Sequence, residues 1–174
     1  IQWSKIMCSD LKRASRTCKL MLDESDSVST DLPPIEESET LREVNFGVME
    51  GRSKDITREK AVAARAAELG ITVDEVEDPH ESPEDILQRQ MSFLSHLRGV
   101  SGNVLAVAHG AYIKNFLKNV VQFTDFIKIT NCAVSMLHVE FVAGEDVPIV
   151  TVPHPEFINC SRHMEEEGFL FPSS

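Results

Sequence analysis

The stretch Val104-Leu105-Ala106-Val107-Ala108-His109-Gly110-Ala111-Tyr112 decides how this chain is read. An unbroken apolar run of this kind reads as a strand buried on both faces in a largely parallel sheet. The run stops at His109 and Gly110, and a helical period takes over. Ile113, Phe116, Leu117, Val120 and Val121 share one face of the expected helix. His109 thus falls at the carboxyl end of a core strand, just ahead of a helix N-terminus. Open α/β sheets place ligands there, because loops and helix dipoles converge at that edge.

The same grammar extends upstream. Ile1 to Met7 reads as a short strand, and Cys8-Ser9-Asp10 as a turn whose Ser9 or Asp10 can cap a helix. Leu11, Ala14, Cys18, Met21 and Leu22 form the inner face of that helix, and Arg13 sits in its first turn, off the stripe, directed back toward the strand end. Asp23 to Glu39 is polar and holds Pro33-Pro34, a loop with a short extended segment near Asp31-Leu32. Gly47 and Gly51 mark a tightly turned backbone between Leu41 and Gly51. Thr57 to Leu69, closed by Gly70, reads as a capped helix, and residues 71–81 as an acidic lid or insertion. Ser82-Pro83-Glu84-Asp85 starts a further helix running to Leu97, with Leu87, Met91 and Leu94 as its buried row.

Downstream, Leu137, Val139 and Phe141 alternate as a strand. Ala143 to Asp146 turns, and Val147 to Val152 returns as a hairpin with Pro148 at an edge. The expected fold is α/β, a mostly parallel sheet with helices on both faces. The domain spans residues 1–152, and residues 153–174 form a surface-hugging extension.

Composition bounds the function. The 174 residues are 42% hydrophobic and 26% charged, ordinary for one globular domain. No apolar run reaches the ~18 residues of a membrane span, so no membrane partner is expected. Cys8, Cys18, Cys132 and Cys160 show no metal or redox spacing, which points to reduced thiols and a cytoplasmic setting. A net charge of −11 speaks against nucleic acid as a partner. The sign is uneven: residues 1–22 carry five basic residues against Asp10 alone, whereas residues 23–50 carry nine acids against Arg42 alone.

Basic residues at a helix start suit an anionic substrate. Arg13 would offer a planar, permanently charged fork to phosphate oxygens, with backbone N–H groups of the Asp10–Leu11 helix start beside it. His109 could donate from the opposite loop, and Glu43 could carry a proton to or from a leaving oxygen. Such a phosphoryl-transfer site needs no metal and no cofactor. Taken singly, Arg13 and Glu43 read as surface residues, and Tyr112 as core or rim. His80, His96, His138, His154 and His163 read as surface or structural.

Three ordered segments sharpen this reading. Cys8-Ser-Asp-Leu-Lys-Arg13-Ala-Ser-Arg-Thr17, Leu41-Arg-Glu43-Val-Asn-Phe-Gly47-Val-Met-Glu50-Gly51 and Val107-Ala-His109-Gly110 resemble the signatures of the histidine phosphatase (phosphoglycerate mutase-like) superfamily. Within it the chain is most similar to the TIGAR-type fructose-2,6-bisphosphatase branch, including His109-Gly-Ala-Tyr112 and Asn131 to Ser135. Glu81-Ser82 and Arg89 resemble a further family segment, with His80 replacing its glycine, and Val44-Asn45 departs from the usual basic residue after the glutamate. The resemblance implies a phosphatase or mutase working through a phosphohistidine. In it Arg13 and Gly110 would bind phosphate, Glu43 would donate the proton, and His109 would be the second, phosphate-stabilising histidine. It further implies a monomer acting on a small phosphorylated sugar, lowering fructose 2,6-bisphosphate and glycolytic flux.

The family's nucleophile lies in an Arg-His-Gly motif on a first, central strand, and no Arg-His-Gly occurs here; Arg162-His163-Met164 is the nearest approach. The expectation is therefore an N-terminally truncated domain without turnover, since the remaining groups stabilise charge and move protons but do not attack phosphorus. Two alternatives share the scaffold, a non-catalytic binding or regulatory protein and a phosphoglycerate mutase.

Overall fold

In a computed structural model of the chain, the structure describes residues 1–23, 32–53, 55–124, 128–154 and 157–164. The element order is β1 (Trp3–Ser9), α1 (Lys12–Asp23), β2 (Ile35–Ser38), α2 (Arg58–Leu69), α3 (Pro83–Ser95), β3 (Asn103–Val107), α4 (Gly110–Asn119), β4 (His138–Glu140) and β5 (Ile149–Thr151), with short 3-10 turns between several of them. The chain divides into two compact units, Ile1–Glu43 with Leu87–Ser174, and Val44–Ile86.

The first unit is built on a parallel sheet of order β2-β1-β3. Ile6 of β1 lies beside Ile35 on one side and Leu105 on the other, and Cys8 lies beside Glu37 and Val107. Parallel pairing needs crossover connections, and α1 between β1 and β2 supplies one. Alternation along β1 then sorts the core into two layers. Met7 points to the side where Leu41, Phe93, Leu94, Leu97, Tyr112 and Phe116 pack, the layer of α3 and α4. Ile6 and Cys8 point to the opposite side, where Cys18 of α1 meets Trp3, Leu22, Ile35, Leu105 and Val107. Helices therefore cover both faces, as the strand reading requires.

The strand buried on both faces is β1, not the one that the apolar run suggests. Ile6, Met7, Cys8 and Ser9 are all buried, whereas β3 is half-buried and its Ala106 is exposed. The reason is position: β1 pairs on both edges, whereas among the described strands β3 pairs only with β1. An apolar run reports the hydrophobicity of a strand and not its place in the sheet.

Other departures follow the same logic. β1 extends to Ser9, so the expected turn starts later, and α1 begins at Lys12. Met21, expected on the inner face of α1, is exposed. The segment near Asp31-Leu32 is replaced by β2 beyond Pro33-Pro34; Asp31 itself lies outside the described residues. On α3 the buried residues are Ile86, Gln90, Phe93 and Leu94; of the expected row Leu94 is buried and Met91 packs against the core, but Leu87 is 41% exposed. A glutamine on the inner face interrupts the apolar period. The expected hairpin is present as antiparallel β4 and β5, with Val139 opposite Val150 and both against the core. The tail is no mere surface strap: Phe157, Ile158 and Cys160 are buried, and Cys160 exchanges backbone hydrogen bonds with Val134. Residues 165–174 lie outside the described ones.

The second unit carries α2, closed by Gly70 in the left-handed region as its sequence predicts; Thr57, expected as its first residue, instead caps it through its side chain. Its other fixed point is the Gly47–Met49 turn. Gly47 has φ +59, and a Cβ there would collide with the Asp78 carboxylate. That carboxylate accepts from the Val48 N–H at 2.9 Å and pairs with Arg58, while Glu81 accepts from the Asn45 N–H at 2.8 Å. The acidic 71–81 segment thus holds the 45–48 turn in shape.

Candidate active site

Three chain ends meet at the carboxyl edge of the first unit's sheet. β1 ends at Ser9 and hands over to Asp10 and the first turn of α1, which carries Arg13. The Glu39–Leu41 turn leads into Arg42 and Glu43. β3 ends two residues before His109, and α4 starts at Gly110. The parallel order places β1 and β3 side by side, so residues about a hundred apart in sequence become neighbours.

The centre of this cluster is His109, which is buried. The Arg13 Nε–H donates to its Nδ1 at 3.1 Å, and its Nε2 lies 2.9 Å from the Ser9 hydroxyl. Burial holds the imidazole below its ordinary pKa, and the Arg13 charge adds to that effect; Glu43 and Asp10 oppose it, and Arg89 reinforces it. Because Arg13 donates to it, Nδ1 carries a lone pair turned to the guanidinium, and a ring with one bare nitrogen is neutral.

Glu43 is placed by its neighbours. Arg42 binds the Asp10 carboxylate through Nε at 2.8 Å and Nη2 at 2.5 Å, and reaches Glu39 at 2.9 Å. The Arg42 hydrogen bond holds the Asp10 carboxyl below its ordinary value. Arg89 of α3 donates to the Thr40 and Arg42 carbonyls at 3.2 and 2.6 Å and lies over the Tyr112 ring. The chain is thereby gripped just ahead of Glu43. Its carboxylate accepts from the Tyr112 N–H at 2.9 Å and the Ala111 N–H at 3.4 Å, the first turn of α4, where the helix dipole favours negative charge.

Of the residues singled out from sequence, Arg13 and His109 are therefore in direct contact, and Glu43 and Gly110 lie at the same helix start. Tyr112 is core, as expected. The Leu11 N–H, expected to face an anion, instead donates to the Ser9 hydroxyl at 3.3 Å. Ser9, Asp10, Arg42 and the clamp made by Arg89 were not legible as one assembly, because each tie joins segments distant in sequence. Among the described residues no group of three or more His, Cys, Asp or Glu side chains is arranged to hold a metal ion. No helix among them is long and apolar enough to cross a membrane.

A buried neutral histidine against an arginine, at the carboxyl edge of a parallel sheet, is an arrangement suited to phosphoryl groups. Comparisons with known proteins give the family and the fold. The Histidine phosphatase superfamily (branch 1) matches residues 1–145, and the chain belongs to that family. It is a phosphatase or a mutase-like member. The fold is similar to that of phosphoglycerate mutase from Bacillus anthracis str. Sterne, with 23% identity, a TM-score of 0.59, and coverage of 87% of this chain and 71% of that one. It is also similar to mycobacterial hydrolase 1, at 20% identity, a TM-score of 0.55, and coverage of 86% and 74%. No curated protein matches the chain.

Proposed function

We propose that this chain forms the phosphate-gripping part of a metal-independent phosphatase whose substrate is a small phosphorylated sugar, with fructose 2,6-bisphosphate as the particular substrate. The observation that carries the reading is the Arg13–His109 contact at 3.1 Å across 96 residues of sequence. A guanidinium donating to an imidazole nitrogen leaves its other N–H groups for an anion. A phosphoryl group entering between the two would take Arg13 on its equatorial oxygens. His109 would meet the same group once protonated. Glu43, at the start of α4, is the group to exchange a proton with a leaving oxygen. The fructose 2,6-bisphosphate assignment rests on the likeness of the 109–112 and 131–135 segments to that branch.

A second reading, a non-catalytic phosphate-binding protein, rests on the same Arg13–His109 contact, which can hold an anion without attacking phosphorus. Calorimetric titration with orthophosphate, fructose 2,6-bisphosphate and 3-phosphoglycerate separates the possibilities, with phosphate release and phosphoryl transfer followed in parallel. The expected result is tightest binding of fructose 2,6-bisphosphate without turnover by these 174 residues. Arg13→Ala should weaken binding about tenfold or more, since a hydrogen bond to a charged group contributes about 1.5–3 kcal/mol. Tightest binding of 3-phosphoglycerate would replace the sugar phosphatase by a mutase. Binding of no phosphorylated ligand would remove both.

A further inference from the structure

We propose that Ser9 is a positioning residue for the phosphate site: its hydroxyl holds the Nε2–H of His109, so that Nδ1 is the nitrogen presented to Arg13 and to an incoming phosphate, and a phosphate dianion binds with uptake of one proton at that nitrogen. The inference rests on the reading of this cluster as a phosphate site. The tautomer follows from donors and acceptors. An arginine guanidinium cannot accept a hydrogen bond, so the 3.1 Å contact from Arg13 Nε–H makes His109 Nδ1 an acceptor carrying a lone pair. A neutral imidazole has one N–H, which must then be on Nε2, and the atom 2.9 Å from it is the Ser9 oxygen. Ser9 is fully buried at the last position of β1, the central strand, and its oxygen also accepts from the Leu11 N–H at 3.3 Å. The serine oxygen is thus fixed by strand and turn before the histidine reaches it.

Proton uptake follows from the charges around the ring. Those acting on His109 are Arg13 from α1, Arg89 from α3, Glu43 and Asp10, two cations against two carboxylates. With that balance a neutral ring is stable. A phosphoryl dianion leaves the cluster two charges negative, and Nδ1 as an acceptor would then face the anion with its lone pair. A proton taken from the buffer forms an N–H bond at Nδ1 and takes up the lone pair that accepted from Arg13. The Arg13 Nε–H···Nδ1 hydrogen bond therefore breaks and both N–H groups turn to phosphate oxygens, while the Nε2–H stays on Ser9.

Long-range proton–nitrogen correlation spectra of the imidazole side chains test this, with His109 assigned by loss of its signals in His109→Gln. In the free protein near neutral pH, His109 should show a bare Nδ1 and a protonated Nε2. Orthophosphate should move Nδ1 to the protonated range, and the affinity counted on the phosphate dianion should rise about tenfold per pH unit on lowering pH while the free ring stays neutral. Ser9→Ala should mix the two tautomers and weaken phosphate binding about tenfold, whereas Ser9→Thr, which keeps a hydroxyl, should restore both. A free protein with its proton on Nδ1 overturns the proposal without any variant, and so does a folded Ser9→Ala whose tautomer and affinity are unchanged. If orthophosphate leaves the wild-type ring untouched while Ser9→Ala still mixes its tautomers, the phosphate reading and proton uptake fall and the positioning role of Ser9 stands.

Discussion

His109 makes the stability of the fold depend on pH. Burial lowers its pKa below the ordinary 6.5, so folded and unfolded chains are both neutral there well above that value. As pH falls through 6.5 the unfolded chain takes the proton first, and stability is lost until the folded ring is protonated too. Urea midpoints in a phosphate-free buffer should therefore drop between about pH 7.5 and pH 5.5, and drop less in His109→Gln. The cysteines give a second check at this scale. Cys8, Cys18 and Cys160 are buried, and burial pushes the Cys18 thiol up to about 11; Cys132 is exposed. A disulfide-exchange reagent should label one thiol quickly in the native protein and the other three only on unfolding. What sequence showed at this level was the residue whose placement depends on its own segment. His109 stood out because it ends a strand and opens a helix, whereas Arg13, a surface residue taken singly, stood out through the motif around it. Ser9 looked like a helix cap, and it does accept the Leu11 N–H, but its second partner is 100 residues away and no local pattern announces it.

Elements were legible where their signals are local. The Gly70 terminus of α2 and the Ser82-Pro83 start of α3 lie where the residues imply, because caps act over one turn. Faces were less legible. On α3 the apolar period places Leu94 and Met91 correctly but misplaces Leu87, because Gln90 is polar and yet fully buried, a placement set by tertiary packing. The difference is measurable. Leu94→Ala should destabilise the protein by about 2–5 kcal/mol, against about 0.5 kcal/mol or less for the exposed Leu87→Ala, read from urea denaturation. In the second unit, Gly47→Ala places a Cβ against the Asp78 carboxylate at a positive φ. The Val48 amide, which donates to Asp78, should then lose hydrogen-exchange protection by about tenfold or more.

At the scale of the whole molecule, the order of chain and the order of sheet disagree. β1 is the middle strand, yet one neighbour arrives about thirty residues later and the other about a hundred, as the Ile6–Ile35 and Ile6–Leu105 pairs show. During synthesis at about 5–20 residues per second, β1 waits several seconds for β3. Its buried residues Ile6, Met7 and Cys8 have no complete shelter in that interval. The same delay governs the site, because Ser9 and His109 sit at the ends of the two strands. Closing so long a loop before its contacts form makes refolding slow, on the order of milliseconds to seconds or longer. Trp3, the sole tryptophan, is paired with Asn103 and reports the closure directly. Its fluorescence should recover in the same kinetic phase that restores orthophosphate binding. A nascent chain halted before residue 103 would thus hold the arginine but have no partner for it, and the site would come into being in a single late event.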